Sequence, residues 1–276
     1  MIGKILVIGG KGKTGRRIAA RLSAAGIETV IGTRAPASAQ DKRFDWSDLT
    51  TATAFDGCKA AYVVAPTDRT DHLAVMQPML ESAMTRGVRR FVLLSSSLLH
   101  PGGPMMGEVH AWLATNSNDW TVLRPSWFMQ NFSEGPHAST IREEGALYSA
   151  TGTGRVGFID AEDIAATAVA ALTTQTPLNR DFVLTGPESL GYDDTAAILS
   201  AVTGQTVRHI PLEPAELTAR FLAQGLPLDY AEALTNLDSA IRSGAEARTT
   251  DHVEHLSGQP PTPFRSFADR VRDIWM

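Results

Sequence analysis

Short apolar runs alternate with helix-spaced apolar positions through the first half of the chain. Ile5-Leu6-Val7-Ile8 is continuous and stops at Gly9-Gly10, the pattern of a strand covered on both faces within a parallel sheet. Ile18, Ala19, Leu22 and Ala25 follow at helical spacing, and Gly26 stands where a helix end favours glycine. Further strands are predicted over 28–32, 42–45, 60–64, 90–94, 120–123 and 182–184, with Pro66 ending the fourth. Leu73, Met76, Leu80 and Met84 predict a helix closed by Gly87, and another is expected over about 106–114. Repeated strand-helix-strand order implies a parallel sheet with right-handed crossovers. From Gly186 onward the pattern turns helical, with helices predicted over 193–202 and 214–224. The rigid turn Pro260-Pro261-Thr262-Pro263 precedes a last amphipathic helix bearing Phe264, Phe267, Val271 and Ile274.

The first strand-helix junction carries chemistry. Gly9, Gly12 and Gly15 have G-x-x-G-x-x-G spacing there. Gly9 permits a tight turn, Gly12 lets backbone approach a pyrophosphate, and Gly15 allows close helix-sheet packing. The N–H groups at the helix start then face the phosphates. Lys13 and Thr14 offer a charge and a hydroxyl to phosphate oxygens, as does Lys11, while a solvent-facing lysine is the plain alternative. The second predicted strand ends Gly32-Thr33-Arg34, without the acidic residue that would bond a ribose 2′-hydroxyl and repel a 2′-phosphate. Arg34 can pair with that phosphate, which favours NADP(H) over NAD, its alternative being a solvated surface arginine. Asp45 and Trp46 are placed to flank adenine, or equally to serve as a helix cap and a core aromatic. The fold class is α/β: a Rossmann-type doubly wound parallel sheet with a smaller, mostly helical C-terminal substrate lobe. The NADP-binding domain is expected over 1–124 and 151–186, and the substrate lobe over 125–150 and 187–276.

The balance of the 276 residues narrows the function classes. Apolar residues make up 43% and charged ones 20%, enough to bury a substantial core. The net charge of -5 argues against a general nucleic-acid binder. A single cysteine, Cys58, rules out a disulfide framework within the chain and reads as packing. The opening Met1-Ile2-Gly3-Lys4 leads straight into the first strand and glycine turn, and no apolar run reaches membrane-spanning length, so a cytoplasmic protein with no membrane partner is expected. His209, His252 and His255 lack a ligand spacing, so no metal is expected. Monomer and homodimer are both compatible with this pattern.

The glycine loop, Arg34, the strand end Val63-Val64-Ala65-Pro66 and the run Leu93-Leu94-Ser95-Ser96-Ser97 together resemble the NmrA-like branch of the atypical short-chain dehydrogenase/reductases. The stretches 120–132, with Leu123-Arg124-Pro125-Ser126-Trp127-Phe128, and 158–165 extend the likeness. Within that branch the chain looks like ergot-alkaloid-biosynthesis-type reductases and their bacterial relatives, on Lys13-Thr14-Gly15, on 186–190 and on 256–261. The resemblance implies an NAD(P)H-dependent oxidoreductase. It places Ala65, Pro66, Ser95 and Pro125 beside the cofactor. One feature departs from the family pattern. The Tyr-x-x-x-Lys pair is absent, because the residues four positions after Tyr62, Tyr148, Tyr192 and Tyr230 are Pro66, Gly152, Ala196 and Leu234.

Reducing a plain ketone makes an alkoxide and needs a general acid, whereas an iminium ion or a quinone is already electron-poor. The leading expectation is an NADPH-dependent reductase of an activated, conjugated, quinone-like or iminium-like small molecule, working without that tyrosine. The alternative is a non-catalytic NADP-binding redox sensor or regulator with a protein partner. His110, near the position of the family's lysine, and Ser96 are the candidate catalytic groups; Ser95 to Ser97 can equally cap a turn, and a lone helical histidine is more often packing. Glu108 is a weaker candidate. Trp127, Phe128, Met129 and Phe132 are the candidate pocket wall for an aromatic or conjugated substrate, with ordinary core as their alternative. Asp160 and Asp163 are expected to cap a helix beginning near Ile164. The Gly- and Pro-rich loop 99–107 is expected to be a mobile lid or a partner-binding loop.

Overall fold

The computed structural model describes residues 3–135 and 137–276; Met1 and Ile2 of the N-terminal segment lie outside the described residues. In chain order the first elements are β1 Lys4–Ile8, α1 Gly15–Ala24, β2 Thr29–Thr33, β3 Asp41–Arg43, β4 Cys58–Val63, α2 His72–Thr85, β5 Arg90–Leu94, α3 Met106–Asn116 and β6 Trp120–Pro125. Then come α4 His137–Glu144, β7 Ala146–Ser149, β8 Arg155–Val156, α5 Ala161–Thr173, β9 Arg180–Leu184, β10 Leu190–Gly191 and α6 Tyr192–Thr203. The chain finishes with β11 Arg208–Pro211, α7 Pro214–Ala223, α8 Leu228–Arg242, α9 His252–Ser257 and α10 Phe264–Val271. Among the described residues no helix is long and apolar enough to cross a membrane.

The chain divides into two compact units. The first runs to Pro125 and takes in Ala161–Leu184 and His252–Gln259. It holds a parallel sheet in the order β3-β2-β1-β4-β5-β6-β9. These are the seven strands the apolar runs predicted. Ile5, Leu6 and Val7 on β1 have no exposed surface, because helices cover a parallel sheet on both faces. The strand order reverses between β1 and β4, the switch point where open α/β sheets form a crevice. Helix α5 starts at Ala161, three residues earlier than expected, with Glu162 and Asp163 in its first turn.

The second unit comprises Ser126–Asp160, Thr185–Asp251 and Pro260–Met276. This places 151–160 with the second unit and His252–Gln259 with the first. The second unit has two small strand pairs, β7 with β11 in parallel and β8 with β10 antiparallel. Its core is aromatic: Phe132, Phe158, Tyr192, Phe264, Phe267 and Trp275 are all at most 2% exposed. Phe132 stands edge-on to Phe158 and Phe264, at 5.2 and 5.1 Å between ring centres, the arrangement that ring quadrupoles favour. The buried carboxylate of Asp160 accepts the Gln130 amide at 2.8 Å and pairs with Arg270, so its charge is balanced inside this unit.

Candidate functional site

In the first unit the glycine turn closes tightly on itself. Gly9 has φ +67°, a conformation that excludes most side chains, and its carbonyl accepts the Gly12 N–H at 2.8 Å. A Cβ on Gly15 would collide with the Gly9 carbonyl oxygen and stand 2.8 Å from Gly10 Cα, so α1 can begin at this point only without a side chain. In the first turn of α1 the Arg16 and Ile18 N–H groups bond back to the Gly12 and Thr14 carbonyls at 3.1 and 3.0 Å, so the helix begins directly on the loop and its dipole points at it. Thr14 is 5% exposed and its hydroxyl accepts the Tyr62 O–H at 2.9 Å, which ties the loop to β4. Lys11 does not stand free. It donates to the Ala35 carbonyl at 2.6 Å and pairs with Asp41 at 2.9 Å, bracketing the segment after β2. The Ala37 N–H together with Lys11 holds the Asp41 carboxyl down at about 2.

A cavity of about 380 Å³ opens beside this turn. Gly9, Gly12, Thr14, Arg34, Asp45, Ala65 and Pro66, all singled out from sequence, line it together with Phe44 and Trp46. Arg34 is exposed at the end of β2. The Trp46 indole donates to the Val64 carbonyl at 3.0 Å and stands edge-on to Phe44, so its plane is fixed. Asp45 accepts the Ser47 N–H at 3.0 Å, an Asx turn. Gly15 lies buried at the head of α1, and half-buried Lys13 gives its carbonyl to Arg17.

Ser95 directly follows β5 and Pro125 ends β6, outside this lining. Among the described residues the buried Ser95 hydroxyl has no hydrogen-bond partner, an unmet donor at the sheet's C-terminal edge. Ser96 and Ser97 follow it in a turn that Arg124 staples. The buried guanidinium donates to the Ser97 carbonyl at 2.9 Å and the Ser96 carbonyl at 3.4 Å, and pairs with Asp181 at 2.7 Å. The Ser96 hydroxyl accepts the Leu98 N–H at 3.5 Å, so it serves the turn. His110 is 2% exposed on α3, its ring packed at 5.4 Å on Trp120, and it lines neither cavity. Burial lowers its pKa. Its neighbour Glu108 stands in the first turn of α3. The loop 99–107 is held by its own backbone: Gly102 and Gly103 donate to Gly107 and His100, and Gly107 to Pro104. Met105 in this loop takes φ 58°, a strained value for a side-chain-bearing residue.

The second unit contains its own cavity, about 520 Å³. Trp127 and Phe128 line it, as the sequence suggested. Met129 and Phe132 do not, and this corrects the expected wall. The Met129 N–H bonds the Ile159 carbonyl and the chain then enters a 3-10 turn, which turns both side chains into the fully buried core. The Phe132 carbonyl accepts the Trp275 indole there at 2.7 Å. The ionisable part of the lining was not anticipated: His137, Tyr148, Tyr192, Arg220, Tyr230 and Asp238. Three of the four tyrosines therefore stand around this one space, while Tyr62 is committed to Thr14.

The polar groups of this cavity are mostly neutral or paired. Burial pushes the His137 imidazole down to about 4 and the Tyr192 phenol well above its ordinary range, where it also takes a hydrogen bond from Trp127. Arg220 lies 3.6 Å over the Tyr148 ring and pairs with Glu144, which also accepts the Tyr148 O–H at 2.6 Å. Burial raises the Asp238 carboxyl to about 6, with only the Ala150 N–H at 2.8 Å opposing it. Behind Tyr192, Asp193, His209 and Ser149 form a hydrogen-bonded chain of 3.0 and 2.8 Å. Ser149 is 1% exposed and bonded to Thr151, which closes it to any acyl substrate.

A family profile described as NAD(P)H-binding matches residues 9–175. The chain belongs to that family. It is 40% identical to agroclavine dehydrogenase of Claviceps fusiformis over 286 residues, covering 99% of this chain and 98% of the relative. In fold it matches the NADPH-dependent quinone oxidoreductase of Escherichia coli complexed with NADPH, with a TM-score of 0.83, 21% identity and coverage of 97% and 99% of the two chains. It also matches NmrA, a negative transcriptional regulator in complex with NAD, with a TM-score of 0.76, 14% identity and coverage of 99% and 96%. The chain is an NmrA-like atypical short-chain dehydrogenase/reductase related to the ergot-alkaloid reductases, an NAD(P)H-dependent oxidoreductase. The first unit fits the family's dinucleotide on its own geometry. The turn tolerates no side chain at Gly15, the positive end of the α1 dipole meets the loop, and among the described residues the buried Ser95 hydroxyl has no partner.

Proposed function

We propose that this chain is an NADPH-dependent reductase of flat, electron-poor small molecules, quinone-like or iminium-like, that need no tyrosine acid. The observation that carries the reading is the second unit's cavity, walled by Trp127, Phe128, Phe221 and three tyrosines. Aromatic walls with a few convergent polar groups suit a conjugated ring system.

In this reading the residues divide the work. The N–H groups over Gly9–Gly15 receive the diphosphate, and Arg34 pairs with the 2′-phosphate that an acidic residue there would repel. Trp46, with its plane fixed on Val64, walls the adenine, and Ser95 donates to the ribose or the nicotinamide amide. The bound dinucleotide supplies a hydride. The second cavity orients the acceptor and keeps water from it, and orientation alone lowers a barrier by several kcal/mol. His137 is held neutral, and among the described residues no lysine stands in this lining to lower the Tyr192 pKa as the family's lysine would, so neither group is tuned to protonate a plain ketone. The quinone oxidoreductase of the same fold is named for an acceptor of the kind proposed.

The test is NADPH oxidation, followed by absorbance, against quinones, iminium salts, cationic dyes and simple ketones. Turnover of the activated acceptors but not of the ketones is expected. Fast reduction of simple ketones would overturn the reading, and no turnover at all in a sample that binds NADPH would favour a regulator.

A further inference from the structure

Helix α8 places Ala231, Leu234, Asp238 and Ile241 along one stripe at helical spacing, and three of the four are apolar. Asp238 is the exception. It is 8% exposed and faces the cavity, yet among the described residues its carboxylate has one hydrogen bond, from the Ala150 N–H at 2.8 Å, and no ion pair. Buried carboxylates are ordinarily paired. Every other ionisable group around this space is accounted for. On α4, His137 is held neutral and Glu144 is taken by Arg220 and Tyr148. On α7, Arg220 is spent on Glu144 and the Tyr148 ring. On α6, Tyr192 stays protonated, and behind it His209 is bonded to Asp193 and Ser149. Tyr230 on α8 contributes a phenol at the rim, 48% exposed. A negative charge without a counter-charge thus sits in an aromatic-walled space, where Trp127 and the tyrosines can add cation–π attraction.

We propose that Asp238 is the specificity-determining residue of this cavity, selecting flat cations over neutral molecules of the same shape while it is ionised and losing that preference once it is protonated. The inference rests on the reading that this cavity receives the acceptor. The ligand class is a planar aromatic cation whose charge is delocalised or carried on a ring nitrogen. A carboxyl that titrates near pH 6 makes the change of preference fall close to neutrality.

The test is calorimetric binding to the full chain of N-methylquinolinium and its neutral isostere 1-methylnaphthalene, at pH 8 and pH 5. At pH 8 the cation should bind at least about tenfold tighter. At pH 5 its affinity should fall about tenfold, while that of the neutral ligand stays constant. Asp238→Asn keeps an acceptor for the Ala150 N–H. It should bind 1-methylnaphthalene as the unsubstituted chain does and show no cation preference at either pH. Equal affinities at pH 8, a preference that survives the substitution, or a cation affinity flat between pH 5 and 8 would overturn the proposal. The pH comparison needs no variant, so it stands even where Asp238→Asn folds poorly. Binding of both ligands alike removes the charge selection alone, whereas binding of neither removes the acceptor-cavity reading with it.

Discussion

The cavity of the first unit is organised around a backbone feature, the glycine turn at the start of α1, with Arg34, Phe44, Asp45 and Trp46 around it. The cavity of the second unit is bounded by side chains from α4, β7, α6, α7 and α8 and from the segment after β6. The two respond to substitution differently. In the first, a single added Cβ at Gly15 meets main chain that cannot move aside. In the second, each ring or charge defines part of the space, so substitutions there retune what fits. A dinucleotide is common to many reactions and an acceptor is not, which is the division of labour such a pair of sites provides.

The largest effect should come from the staple under the serine turn. Arg124→Ala leaves Asp181 without its partner and removes the guanidinium donor from the Ser96 and Ser97 carbonyls, at a cost of about 3–5 kcal/mol in urea unfolding. A loss below about 1 kcal/mol would show that the turn holds itself.

Next is Asp238→Asn. Burial raises the folded-state pKa to about 6 from an unfolded value near 3.8, so the folded chain binds the proton more tightly. The unsubstituted chain therefore loses stability as pH rises from about 4 through 6, and the loss is complete above 6. Relative to it, the variant should gain about 2 kcal/mol between pH 4 and pH 7, read from denaturation midpoints at both. A difference that stays constant with pH would mean the carboxyl is better solvated than its surroundings indicate.

Gly15→Val sharpens the contrast between the cavities. NADPH affinity should fall about a hundredfold by fluorescence titration, with ligand binding in the second unit unchanged. Retained NADPH binding would contradict a backbone-built cradle. The smallest effect is expected at exposed Arg34, where Arg34→Ala should cut the preference for NADPH over NADH about tenfold. An unchanged preference would leave Arg34 as a surface residue.

Much of the first unit was legible in the sequence because its signals are local. Continuous apolar runs mark strands buried on both faces, and three glycines at fixed spacing mark a turn that permits nothing else. Lys11 misleads for the opposite reason: its partner Asp41 is reached only after β2 has been traversed. The second unit hides its site because its parts are distant in the chain. β7 is four residues long and pairs with β11 far downstream, and neither run has a strand's length or alternation. Met129 and Phe132 sit beside Trp127 and Phe128 in sequence, yet a 3-10 turn sends the pairs to opposite sides. One clue was available: Asp238 breaks the apolar stripe of a helix, and an acidic residue at a core position calls for a reason.

That the second unit's cavity is where the acceptor binds can be tested by filling it. Leu237→Trp puts an indole into the cavity from α8. The variant should lose at least about tenfold in kcat/KM for a quinone or iminium acceptor while its NADPH Kd stays within about twofold. Undiminished turnover with the cavity filled, or NADPH binding lost in step with turnover, would contradict the account.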